Sequence, residues 1–122
     1  MPQRRYPLRL WTAADLDNGL TLESGVIDCR TSDPEGMLIR VTNVGGTANI
    51  KIQVCFSNDG TTFNDYAAQD DIVDASATFW SAALEDYHMV NIPWAPYLKI
   101  KLTDLLLADD TVVDAVLWMT EL

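Results

Sequence analysis

The chain has 122 residues, a formal charge of −10, 48% hydrophobic residues and 21% charged residues. That length suits one domain with its own packed core, and the composition excludes an intrinsically disordered polymer. No apolar run reaches the roughly 18 residues of a membrane span, and the charge excludes a phosphate-binding face, since five basic residues from residue 10 onward stand against all eighteen acids. Neither a membrane nor a nucleic acid is therefore expected as a partner.

Arg4 and Arg5 lie in a polar stretch, read as a flexible basic arm over residues 1–5 that gains order by lying on an acidic neighbour. Residues 6–122 are expected to form the single domain. Residues 1–17 lack the unbroken apolar centre of a signal peptide, so synthesis in the cytosol without secretion is expected. A first strand is predicted over 6–11, with Leu8 and Leu10 sharing a face, and a second over 20–27, with Leu20 and Leu22 in phase and Gly25 bending it. Asp33-Pro34-Glu35-Gly36 reads as a turn leading into a strand over 36–44 that aligns Met37, Ile39 and Val41.

The clearest element is a hairpin over 50–66, IKIQVCFSNDGTTFNDY. Ile50, Ile52, Val54 and Phe56 alternate with Lys51, Gln53, Cys55 and Ser57, the period of two of a strand with one buried face. Asn58-Asp59-Gly60 supplies the turn, because Asn and Asp tolerate left-handed backbone angles and Gly adopts them without a Cβ clash. Residues 61–66 are the predicted return arm. Residues 67–77 read as an exposed acidic loop, 78–83 as a short strand, and 87–92 as a strand closed by Pro93. Trp94-Ala95-Pro96 makes a rigid corner. In 97–103, Leu98, Ile100 and Leu102 point inward and Lys99 and Lys101 outward.

The last strand, 111–120, is apolar on both faces. Val113, Ala115, Leu117 and Met119 form a core row, and Val112, Asp114, Val116 and Trp118 the opposite one. Such a strand sits centrally under cover, or it faces another subunit. Strands separated by turns, with no internal repeat and no sustained helical stripe, predict an all-β fold: a single antiparallel β-sandwich of about eight strands, jelly-roll-like or immunoglobulin-like.

Candidate chemistry is sparse. His88 is the only histidine, and it lacks a GxSxG serine or a glycine-rich oxyanion loop, so a Ser-His-Asp hydrolase is not supported. One His with Cys29 and Cys55 does not make a zinc set, and both cysteines are read as free thiols, a bridge between them being the remote alternative. Asp70, Asp71 and Asp74 offer hard oxygen ligands of the kind calcium prefers, but in no EF-hand order. Glu85 and Asp86 are adjacent and so point opposite ways on a strand, which does not suit a glycosidase pair. A non-enzymatic protein without a cofactor is expected. Trp11, Trp80, Trp94 and Trp118 are better clues: Trp80 and Trp94, beside loops, suit a sugar platform or an interface anchor.

The run FSNDGTTFNDY resembles a hairpin of small β-sandwich virion proteins of tailed bacteriophages, and of sugar-binding sandwiches of the discoidin type. The strand YLKIKL over 97–102 follows the resemblance more loosely. The phage resemblance implies a structural subunit for capsid decoration, a head fibre or a tail accessory, located in the virion, made in the host cytoplasm, and assembled with itself as a homo-oligomer and with other virion subunits. It carries no residue-level site. The discoidin resemblance implies a carbohydrate-binding module with a glycan partner, and the chain departs from it in lacking a secretory signal and terminal cysteines. The surface expected to carry assembly comprises Arg4, Arg5, Trp80, Trp94, Val116 and Trp118.

Overall fold

The computed structural model describes residues 4–16, 20–43, 50–65, 85–104 and 111–122. Nine strands lie among them: β1 (Arg5–Asp15), β2 (Thr21–Glu23), β3 (Ile27–Asp28), β4 (Ser32–Asn43), β5 (Ile50–Ser57), β6 (Asn64–Asp65), β7 (Glu85–Val90), β8 (Tyr97–Asp104) and β9 (Thr111–Glu121). All pairings are antiparallel. One sheet has the order β1-β9-β4-β7; the other runs β2-β8-β5-β6, with β3 also on β8. The chain changes sheets at every step except β2 to β3 and β5 to β6, so strands from both halves of the sequence face one interior. This is the all-β antiparallel sandwich that the alternating pattern predicts.

The interior is built from the predicted rows. Met37, Ile39 and Val41, Ile50, Ile52 and Val54, Leu98, Ile100 and Leu102, and the β9 row from Val113 to Met119 are each at most 1% exposed. Register places them in cross-strand pairs, Ile52 beside Leu102, Val54 beside Ile100, Met37 beside Leu117 and Val41 beside Val113. Full burial of an Ile, Leu or Val side chain contributes about 1.5–3 kcal/mol, so these rows supply much of the drive to fold. Cys29 and Cys55 are free and buried, and burial pushes the Cys29 thiol up to about 11.

Several elements differ from the sequence reading. Asp33-Pro34-Glu35-Gly36 is not a turn but the start of β4: Pro34 pairs with Met119 and Gly36 with Trp118, with a bulge between them. Proline, which cannot donate to the ladder, is accommodated at such an irregularity. The strand predicted over 20–27 is broken into β2 and β3 at Gly25, whose φ of 78° bends the chain as expected. Leu20 is 52% exposed and does not share the half-buried setting of Leu22. β7 covers 85–90 and not 87–92, although Ile92 is still buried beyond its end. β1 begins at Arg5 and continues to Asp15, with register slips between Arg9 and Trp11 and between Trp11 and Ala14. The slips carry Trp11 into the interior on the same side as Leu8, and the Ala13 amide donates to Asp114 Oδ1 at 2.9 Å to hold the distorted stretch. The strand expected over 78–83, the loop over 67–77 with Asp70, Asp71 and Asp74, and Trp80 lie outside the described residues.

The hairpin is present with a wider loop than predicted. Among the described residues only Asn64 and Asp65 pair back, with Phe56 and Cys55, and the core phase shifts so that Cys55 and Ser57 are buried while Phe56 is half-buried. Ser57 Oγ donates to Asp59 Oδ1 (2.9 Å) and accepts from the Gly60 amide (2.9 Å); Asp59 Oδ1 also accepts from the amides of Thr61 and Thr62, each at 2.9 Å. A side-chain-capped loop thus replaces the short Asn58-Asp59-Gly60 turn. Gly60 has φ 82°, and a Cβ there would lie 3.3 Å from the Tyr97 ring. Gly60→Val is expected to lower stability by about 1–3 kcal/mol through left-handed strain and crowding of Tyr97, read as a drop in melting temperature; an unchanged melting temperature would contradict this loop geometry.

Candidate functional site

Among the described residues, the surface with the most unusual composition is the outer face of the β1-β9-β4-β7 sheet. Because side chains alternate, the strand that fills the core with Leu117 and Ala115 must present Trp118, Val116, Asp114 and Val112 outward. Register then assigns their neighbours: Pro7, Trp118 and Gly36 form one rung, Arg9, Val116, Leu38 and Met89 the next, and Asp114, Arg40 and Tyr87 the third. Tyr87 and Met89 are 57% and 56% exposed, whereas Trp118 and Val116 are half-buried. Gly36 permits this packing, since a Cβ on it would lie 3.2 Å from Met89 Sδ.

Two shallow hollows mark the face. One, about 240 Å³, is lined by Arg9, Leu38, Arg40, Tyr87, Asp114 and Val116. The other, about 280 Å³, lies between Arg5, Met89 and Trp118. The first sets Leu38 and Val116 among Arg9, Arg40 and Asp114, and the second sets Met89 and Trp118 beside Arg5.

The sequence-predicted residues are only partly gathered here. Val116 and Trp118 occupy the centre and Arg5 the rim. Arg4 and Arg5, read as part of an arm, are tied to the sheet: Arg5 Nε donates to Glu35 Oε2 at 2.7 Å, Arg4 Nη2 to Glu121 Oε1 at 2.9 Å, and the Arg4 carbonyl accepts from the Glu121 amide at 2.9 Å. Trp94 is elsewhere, on the 91–96 connection, where its indole N–H donates to the Cys29 carbonyl at 2.9 Å and leaves the ring 49% exposed. Trp80 lies outside the described residues, and the His88 side chain is likewise not described. Leu38, Arg40, Tyr87 and Met89 join the face unanticipated. The alternation of β4, with Leu38 and Arg40 opposite the Met37-Ile39-Val41 row, is the signal that would have found two of them.

Three carboxylates are held below their ordinary range. Asp28 is lowered from 3.8 to about 2 by hydrogen bonds from the Arg30 side chain and backbone. Asp59 is held well below by the Thr62 and Thr61 amides and the Ser57 hydroxyl, and Glu35 is lowered by its hydrogen bond from Arg5. A depressed carboxylate stabilises the fold above its unfolded pKa and loses that contribution as pH falls through the folded one. The melting temperature is therefore expected to hold between about pH 7 and 5 and to fall from about pH 4 to 2, with a shallower fall in Asp59→Asn. A wild-type melting temperature unchanged down to about pH 2 would contradict these contacts.

No protein-family model and no curated protein matches this chain. Solved structures do. A structure of the infectious bursal disease virus VP2 subviral particle matches over 98% of this chain and 32% of its own, with a TM-score of 0.62 and 12% identity. Structures of the Gt and Gx strains of the same virus match over the same shares, with TM-scores of 0.60 and 0.55 and identities of 15% and 19%. The chain spans about a third of the length of these proteins. At such identities the likeness is one of fold: this chain shares the antiparallel β-sandwich fold of the matched part of these VP2 structures.

Proposed function

We propose that this protein is a non-enzymatic structural subunit of a virion, acting through protein–protein assembly with copies of itself and with other virion subunits. The observation that carries the reading is the fold likeness over 98% of the chain to structures of infectious bursal disease virus VP2, including a subviral particle. Support also comes from the outer face of the β1-β9-β4-β7 sheet, where a double-sided apolar strand leaves Trp118 and Val116 beside exposed Tyr87 and Met89. Within that class, the hairpin resemblance favours a tailed-phage component for capsid decoration, a head fibre or a tail accessory. It would act as one sandwich domain, made in the host cytoplasm and ending in the virion.

Genes flanking this one are expected to encode a capsid, portal or terminase, and the test is co-expression with the neighbouring capsid gene followed by sedimentation. The chain is expected to pellet with the shells. A chain that stays in the supernatant as a monomer and binds a polysaccharide would contradict the proposal. If its affinity also fell on Trp94→Ala with the fold intact, the discoidin-like carbohydrate module would take its place.

A further inference from the structure

The charges around the apolar centre of the β1-β9-β4-β7 face follow a pattern that neither strand shows alone. On β1, Arg5 and Arg9 stand at the start, across from Thr120 and Val116, and Asp15 stands at the end, across from Val112. β4 runs the other way in sign: Asp33 pairs with Thr120, Glu35 lies beside it in the bulge, and Arg40 pairs with Asp114 farther along. The strands flank β9 on either side and run in the same direction, each being antiparallel to β9. The four corners around the apolar centre are thus basic and acidic on β1, and acidic and basic on β4.

This arrangement decides what the face can meet. When a sheet face packs on a copy of itself about a two-fold axis in the sheet plane, an axis across the strands exchanges the two ends, and an axis along β9 exchanges β1 with β4. Either rotation places a basic corner over an acidic one and lays β9, with Trp118 and Val116, over the β9 of the partner. A partner of uniform charge would meet repulsion at two corners whichever sign it carried. Asp15, Asp33 and Arg9 are exposed and form no ion pair among the described residues, so they are available to a partner. We propose that this face binds a second copy of the chain as a two-fold, face-to-face dimer. The inference deepens the assembly reading above and rests on it in taking another copy as the partner.

Sedimentation velocity of the full chain over a range of concentrations tests this, with Val116→Lys at the centre of the face, Tyr87→Lys on its exposed edge, and Lys99→Glu on the opposite sheet as control. Circular dichroism checks each fold. The wild type and the control are expected to form a dimer that stops at two, and the two face variants to raise the dimer Kd at least about tenfold. Because Tyr87 is already 57% exposed, its variant keeps the test open if Val116→Lys does not fold. A wild type monomeric at every concentration, a dimer unaffected by the folded face variants, or an open-ended series of oligomers would each overturn the proposal. If the wild type is monomeric yet pellets with shells, this inference fails while the virion reading stands; a face-dependent dimer that ignores shells gives the reverse.

Discussion

The position of β9 is the constraint on which the rest of the structure depends. Eleven residues long, it is paired along most of its length on both sides, with β1 from Arg5 to Asp15 and with β4 from Ser32 to Asn43. Its pleat divides one stretch of sequence into two chemistries. Val113, Ala115, Leu117 and Met119 close the interior against the second sheet, and the alternate residues are obliged to form the middle of the outer face. A one-residue slip would exchange Leu117 with Trp118 and Val113 with Asp114, placing a carboxylate in the core, so the register is strongly specified. The ladder is extended past β9 on both sides, through the Glu121 amide to the Arg4 carbonyl and the Leu122 amide to the Thr31 carbonyl.

Period-two alternation made the core legible in the sequence. Leu98, Ile100 and Leu102, Met37, Ile39 and Val41, and the β9 row all lie where alternation puts them. What alternation does not contain is register, and the outer face is a product of register. Met89 meets Leu38 and Tyr87 meets Arg40 only because β7 pairs with β4 as it does, across some fifty residues of sequence. Irregularities were equally hidden. The bulge at Pro34 and Gly36 looks in sequence like a turn, since the same residues serve both, and the two slips in β1 bring Trp11 inward against the simple pattern. The Asn58-Asp59-Gly60 loop lies where the sequence puts it, but its width is set by Ser57 and Asp59 side chains bonding backbone amides, a local competition that turn residues alone do not reveal.

The sandwich divides its chemistry between interior and outer face. Its interior is apolar, its two thiols are buried, and among the described residues no three histidine, cysteine or carboxylate side chains converge as a metal site. The outer face of the four-stranded sheet holds apolar side chains at its centre and both signs of charge at its margins on a chain that is acidic overall.

Residue-resolved native-state hydrogen exchange tests the central role of β9 most directly. Amides from Val112 to Thr120 are expected to fall in the slowest class and to exchange only through global unfolding, on the β1 side as on the β4 side. If those amides exchanged through a local opening of much lower free energy, as a lightly paired strand such as β6 would, β9 would not be the strand that holds the sandwich together.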